Sequence, residues 1–358
     1  MGIFDRFRKQ NAVTVSSYKM VTDTGSGFYS WNGSLYQSDI VRAAIRPKAR
    51  AVGKAVAKHV RRTVTKDGVK VETKPDVYMR FLLEEPNPIM TGQQLQEKLA
   101  VQLELNNNAF AYIERDGNGY PTAIYPIVST SVEALQNPNG ELFLKFWTQR
   151  GKSYTFRYTD IIHLRKDFSN NDLFGESPAV ALTSLMEIVN TTDQGMVNAI
   201  RNSALIRWLL KFNQTMRPED LTRQAKEFST NFTSTESTTG GVAATDAKFD
   251  AQQVDSKDYV PNSSQMDRTT QRIYSFFNTN DKIVQSRWTE DEWIAYYEGC
   301  IESDIIQLSG EYTRKLFNRR ERGYGNKIVF ESSNLAFASM STKLALQAMV
   351  DRGAMTPN

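Results

Sequence analysis

In 358 residues there is one cysteine, Cys300, and there are two histidines, His59 and His163. A lone cysteine excludes an intrachain disulfide framework and fits folding in a reducing cytoplasm. Neither histidine has Cys, Asp or Glu at ligand spacing, which excludes the usual zinc patterns, and no cofactor or metal site is expected. Apolar runs are short as well. None approaches the ~20 residues of a membrane span, and the opening string Met1-Gly-Ile-Phe-Asp-Arg6 lacks the hydrophobic stretch of a signal peptide, so neither insertion nor secretion is expected. Arg6 stands where a myristoylation motif places Ser or Thr, so no lipid is expected on Gly2. A P-loop is also missing. Asp116-Gly-Asn-Gly-Tyr-Pro121 puts proline where a phosphate-binding helix would begin, and reads as a hairpin turn.

Neither sign of charge dominates, since 44 Lys and Arg face 40 Asp and Glu for a formal +4. With 40% hydrophobic and 23% charged residues, the chain is too apolar for a disordered protein and too mixed for a fibre. Its length suits about two to three domains.

Three strings imitate catalytic motifs, and each has a plainer reading. Gly175-Glu-Ser-Pro-Ala179 lacks the second glycine of a nucleophile elbow; Ser177 and Pro178 read as the cap and first residue of a helix. Glu290-Asp291-Glu292 offers carboxylates, yet Thr289 with Glu292 makes a capping box, and acids in a first turn suit the helix dipole. His163 sits in the alternating string Asp160-Ile-Ile-His-Leu164 and reads as a half-buried strand histidine rather than a general base.

The first ~35 residues are rich in Ser, Thr and Gly and show no sustained period, which reads as a loose arm. A helical pattern then runs over 38–62 with Ile40, Ile45, Val52, Val56 and Val60 as its apolar positions, interrupted or kinked at Pro47. Along it Arg42, Arg46, Arg50, Lys54, Lys58 and Arg62 recur every four residues with no acid between them. Two readings stand for this stripe: a nucleic-acid contact, or a solvated or subunit-facing surface. The second is favoured, because no aromatic stacking residues interleave.

Glu85-Pro-Asn-Pro-Ile-Met90 reads as a turn, and Thr91 with Gln94 caps a helix whose apolar face includes Leu95, Leu99, Leu103 and Leu105. The period then changes to that of strands over 109–115, 122–128, 141–147, 153–158 and 161–165. These are expected to form one antiparallel meander beside helices, an α+β arrangement. A long helix is expected from Ser177 to about Trp208, then a short helix from Pro218, a polar loop over 230–239 and small strands within 240–254. This reads as a small insert on a stalk. A second helix is expected from Ser263 or Ser264 through Phe277, a polar break at 278–281, and a helix from about Glu290 to Phe317. In the last of these, Trp293, Tyr296, Tyr297, Ile301, Ile305, Leu308, Tyr312 and Leu316 form a core or interface stripe. A strand at 327–330 and a helix at about 341–352 complete the pattern.

Several strings, taken in order, resemble the portal proteins of tailed bacteriophages, in particular the large group found with long-tailed phages. They are Met1 to Arg6; the 41–60 helix; Leu83-Glu-Glu-Pro-Asn-Pro-Ile-Met-Thr91; Leu105-Asn-Asn-Asn-Ala-Phe-Ala-Tyr-Ile-Glu-Arg115; Asp160 to Leu164; Phe174-Gly-Glu-Ser-Pro178; Arg272-Ile-Tyr-Ser-Phe-Phe277; and 344–358. Each alone is weak, but their joint order is specific.

The resemblance implies an α+β portal fold with an α/β wing, a two-helix stem, a small α/β clip insert and a short or missing crown. On this sequence 1–37 would be a flexible arm, 38–176 and 290–334 wing, 177–209 and 263–277 stem, 210–262 clip, 278–289 a tunnel loop and 335–358 the start of a crown. It implies a ring, typically of twelve, closed by a head-to-tail interface at one capsid vertex. It also implies double-stranded DNA in the channel, with the terminase large subunit, the major capsid and scaffold proteins and a head-tail adaptor as partners, and assembly in the host bacterial cytoplasm. No enzymatic activity and no membrane partner are implied. Asn280, Asp281, Lys282, Gln285, Ser286 and Arg287 are the implied DNA-facing residues, a plain helix connection being the other reading of that segment. DNA must slide in such a channel, so the 42–62 basic stripe is not expected to be its main lining. The alternative from another class is a metal-dependent nucleic-acid-processing enzyme with an unrecognised active site. A third reading is a capsid or adaptor component outside the portal family.

Overall fold

The computed structural model describes residues 19–20, 28–29, 34–65, 68–169, 172–203, 207–212, 215, 217–228, 249–254 and 263–331. The expected 230–239 loop, the 341–352 helix, the 335–358 crown segment and most of the 1–37 arm lie outside these residues.

Helix α1 (Ser34–Gln37) leads into α2 (Asp39–Lys54), which carries Pro47 in its interior without ending there. The expected helix to residue 62 is not formed. Ala55 takes an extended conformation, and 56–65 become strand β3 (Val56–Thr65). The reason is tertiary: Val-Ala-Lys-His-Val alternates as well as it repeats helically, and a strand partner is available. That partner is β13 (Asn326–Glu331), which pairs His59 with Ile328, while β4 (Gly68–Thr73) flanks the other edge. Gly325 precedes β13 with φ 86°; a Cβ there would lie 1.9 Å from the Arg62 carbonyl oxygen, so only glycine fits this corner.

Helices α3 (Val77–Glu84) and α4 (Gly92–Asn106) follow. The capping box expected at Thr91 is present. Its hydroxyl accepts from the Gln94 N–H, while the Gln94 side chain accepts from the Thr91 N–H at 3.0 Å. Leu95, Leu99 and Leu103 of α4 are fully buried, each contributing about 1.5–3 kcal/mol of hydrophobic burial.

The expected single meander is instead two sheets. β5 (Asn108–Arg115) pairs with β6 (Pro121–Ile127) on one side and β10 (Ile161–Arg165) on the other. A second sheet is built from β7 (Ser131–Gln136), β8 (Leu142–Trp147) and β9 (Ser153–Arg157), with the two-residue strands β1 (Lys19–Met20) and β2 (Phe28–Tyr29) on β7. Strand β7 escapes sequence reading because its inward residues Val132 and Ala134 are small and Leu135 on its outward face, beside Ser131 and Glu133, breaks the apolar–polar alternation. Phe110, Tyr112, Val132, Leu144, Phe146 and Phe156 fill the space between the sheets. Ala109, Ala111 and Ile113, on the other face of β5, are buried too. A strand buried on both faces reads as a hydrophobic run rather than an alternation.

From Glu290 to Leu316 the chain is continuously helical: α9 (Glu290–Tyr296), a π turn (Tyr297–Ile301) and α10 (Glu302–Leu316), then α11 (Arg319–Gly323). The aromatic stripe expected here is buried except at Tyr297, which is half-buried.

The chain divides into two units, Ser184–Thr269 and the remainder. The smaller unit takes in most of α5 (Ala179–Ser203), the antiparallel pair β11 (Arg207–Phe212) and β12 (Phe249–Val254), helix α6 (Pro218–Phe228) and the start of α7 (Ser263–Phe276). The first long helix therefore ends at Ser203, not near Trp208, because Arg207–Phe212 pairs with the returning strand.

Candidate functional site

The segment between α7 and α9 is the first candidate, and it is built rather than loose. Asn278 with φ 51° ends α7, and the Thr279 N–H reaches back to the Tyr274 carbonyl at 2.9 Å. A one-turn helix, α8 (Asp281–Val284), follows, capped by the Asn280 side chain, which accepts from the Ile283 N–H at 3.0 Å. Ser286 with φ 57° closes it, and the Arg287 N–H bonds the Lys282 carbonyl at 2.8 Å. Both ends thus use the same device, a left-handed residue followed by a donor that satisfies a carbonyl one turn back. Ile283 is buried and α8 packs on α2. Tyr274 is pushed above the usual tyrosine range by burial, helped by the carboxylates of Asp281 and Asp39.

Asn280, Asp281, Lys282, Gln285, Ser286 and Arg287 are all exposed. Lys282 is paired with Glu292 of the α9 capping box, which lowers the Glu292 carboxyl below and raises the Lys282 ammonium above its ordinary range. Among the described residues no ion pair engages Asp281 or Arg287, one charge of each sign.

The basic stripe does not survive as one surface. Arg42, Arg46, Arg50 and Lys54 are exposed along α2, but Lys58 and Arg62 lie on β3, where the helical repeat no longer applies. Arg42 hydrogen-bonds the Tyr36 carbonyl and lies 5.1 Å from that ring's centroid; Lys58 pairs with Glu331.

Sequence reading missed two buried polar clusters. In the first, Lys48, the lysine inside α2, is 4% exposed and meets Glu104 of α4 at 2.7 Å and Asp304 of α10 at 2.9 Å. Lys166 bonds both Glu104 carboxylate oxygens at 2.9 Å. Burial acts to discharge Lys48, but the two carboxylates outweigh it and hold the ammonium above the usual lysine range. Burial likewise opposes the charge on Glu104, but Lys48 and Lys166 overcome it and keep that carboxyl low. Asp304 has less help, and burial leaves it above the usual aspartate range. The only signal was Lys48 falling among apolar positions of its helix.

In the second cluster, His163 is buried, not half-buried. Its Nε2 is 3.1 Å from Asn108 Oδ1, and its ring stacks on Phe110 at 4.4 Å. Burial, with Arg165, Lys315 and Arg314 nearby, holds it well below the ordinary histidine range, so it is neutral. Asn107, with φ 54°, sends its Nδ2 to Asp167 and to the Glu176 carbonyl. Asn108 bonds Gly175 in the same way, so three of the strings behind the family resemblance meet in one socket at the foot of α5. The expected helix start is displaced by one residue: α5 begins at Ala179 and the Leu182 N–H bonds the Pro178 carbonyl, so Pro178 rather than Ser177 stands at the cap position. Among the described residues no three of His, Cys, Asp and Glu gather as a metal site requires, and no helix is long and apolar enough to cross a membrane.

A family model for phage portal proteins matches residues 39–358, and the chain belongs to that family. Solved structures agree on the fold. The neck of a native gene transfer agent (GTA) particle, computed with C12 symmetry, superposes with a TM-score of 0.66 at 14% identity, covering 93% of this chain and 92% of that one. The neck of the empty particle, computed with C6 symmetry, gives 0.65 at 12% identity over 93% and 92%. An HK97 family phage portal protein from Corynebacterium diphtheriae gives 0.57 at 10% identity over 87% of this chain and 98% of its own. None of the curated proteins matches the sequence.

Proposed function

We propose that the chain is the subunit of a noncatalytic ring of about twelve copies at one capsid vertex, through which double-stranded DNA enters and leaves. The observation that carries this reading is the family match over 39–358, joined to a fold shared with a neck computed in C12 symmetry. Residues 38–176 and 290–334 act as the wing, 177–209 and 263–277 as the stem, 210–262 as the clip, and 335–358 as the start of the crown. The separate unit at Ser184–Thr269 supports this division, and the β11–β12 pair supports a clip whose first strand begins inside 177–209.

In this reading the 278–289 segment is the tunnel loop. It presents one cation and one anion that are free to meet DNA, which supports weak contact without tight capture, since each added phosphate contact strengthens binding. The α2 cations are the second candidate surface, turned to solvent or a neighbouring subunit rather than forming the main lining. The terminase large subunit, head-tail adaptor, major capsid and scaffold proteins are the partners, met during assembly in the host cytoplasm and in the virion.

The test is the solution mass by light scattering with negative-stain images of the same peak. A ring of about a dozen subunits with a central hole is the expected result. A chain that stays monomeric at all concentrations and with scaffold protein present, and that cleaves DNA in a chelator-sensitive way, overturns the reading.

A further inference from the structure

Between the β5–β6 hairpin, the turn at Tyr158–Asp160 and the end of α10 lies a pocket of about 620 Å³ to which the portal reading gives no task. Its lining carries four cations, Arg115, Arg314, Lys315 and Arg322, against two acids, Asp160 and Glu321. Most of these charges are committed. Asp160 accepts from Arg115 Nε at 2.9 Å, Glu321 accepts from the Asn318 N–H at 2.7 Å in a capping box, and Arg314 pairs with Glu311.

Among the described residues two donor groups of the lining are left over, the Lys315 ammonium and the Arg322 Nε–H. Lys315 is 7% exposed; its ammonium donates to the Tyr158 carbonyl and lies 3.7 Å from that ring's centroid. Among the described residues no carboxylate is in ion-pair contact with it. Burial brings its pKa down to about 8, with Glu311 and Asp160 opposing that fall and Arg314 and Arg115 adding to it. Arg322 Nε is buried and has no hydrogen-bond partner among the described residues. A buried cation without a counter-charge and a buried donor without an acceptor are both costly. Here they line one cavity.

We propose that this pocket binds a carboxylate side chain of an acidic peptide segment, with Lys315 and Arg322 as the anchoring cations. A carboxylate is an acceptor-only group whose two oxygens match an ammonium and a guanidinium N–H as donors. Tyr120, 64% exposed at the pocket rim, and Leu316 in its lining offer apolar surface for a neighbouring peptide side chain. Duplex DNA is a poor fit. Its phosphates lie on a rigid rod and meet protruding side chains, whereas the Lys315 ammonium is recessed. The inference stands independently of the portal reading.

The test uses the full chain and the acetylated, amidated peptide Glu-Asp-Phe-Glu, measured by calorimetry in two buffers of different ionisation enthalpy. Inorganic phosphate, the neutral peptide Gln-Asn-Phe-Gln and a short DNA duplex are the comparison probes. The acidic peptide is expected to bind with uptake of up to about half a proton at pH 8, because a carboxylate beside Lys315 raises its pKa again. Lys315→Met is expected to abolish the uptake, and Lys315→Met and Arg322→Gln each to weaken binding at least tenfold. The uptake is read on the unaltered protein, so it holds even where a variant folds poorly. Equal binding of the neutral peptide, equal binding of phosphate alone, binding of the duplex only, or no binding at all overturns the proposal.

Discussion

Asn108 holds Gly175 by both of its backbone groups: Nδ2 donates to the glycine carbonyl at 2.8 Å, and Oδ1 accepts from the glycine N–H at 2.9 Å. The pair fixes the chain leading into α5 against β5. A Cβ on Gly175 would lie 2.2 Å from the Lys166 carbonyl oxygen and 2.3 Å from that of Asn107, so the glycine is pressed between two backbones.

Asn108→Ala is therefore expected to cost about 3 kcal/mol, since it strands a buried N–H and carbonyl. Gly175→Ala is expected to cost more, because both of its neighbours are backbone and cannot step aside. Denaturant unfolding of each variant measures this; a loss below about 1 kcal/mol at both positions would show the socket to be dispensable.

Lys48→Met leaves Asp304 buried without its cation and Glu104 with Lys166 alone. A loss of about 3–5 kcal/mol is expected from breaking one side of a buried ion cluster. Adding Asp304→Leu should recover part of it, because an apolar pair removes the stranded charge. A double mutant less stable than Lys48→Met argues against the cluster acting as a unit.

The sign of the Lys315 effect differs from that of a paired lysine. Its pKa falls from 10.5 unfolded to about 8 folded, so between these values the unfolded chain binds more protons. Stability is then expected to rise with pH across roughly 8 to 10.5, and to be lost as pH falls through 8. Lys315→Met should flatten that rise. A wild-type curve that falls over this window, with no difference in the variant, contradicts the assignment.

Asn278 and Ser286 hold φ near 51° and 57°, where glycine has no steric penalty. Asn278→Gly and Ser286→Gly are each expected to be neutral or stabilising by up to ~1 kcal/mol, and Ser286→Val to destabilise. Thermal melts decide it; stabilisation by Val would mean that the turn geometry is wrong.

Lys282→Gln and Arg287→Gln change exposed side chains, so solution mass and melting temperature should stay at wild-type values. On the portal reading the measurable effect is on DNA retained per particle. Particles that package normally with both changes would remove these two residues from the DNA path.

The local signals were legible in the sequence wherever a few neighbouring side chains suffice. Thr91 and Thr289 formed the capping boxes expected of them, and the stripe from Trp293 to Leu316 is the buried face of its helix. Family membership was legible in the same way, as an ordered series of short strings.

What tertiary structure decided is everything for which two local answers were nearly equal in energy. Residues 56–62 satisfy helical and strand periods alike, and pairing with Asn326–Glu331 chose the strand, dividing the basic stripe. The 278–289 segment looked like a polar break; packing of Ile283 and α8 on α2 made it an ordered turn. Lys48 reads as one more surface cation until Glu104 and Asp304, 56 and 256 residues further on, surround it. Its charge is tolerable in the interior only because those carboxylates arrive there, and no local pattern encodes their arrival.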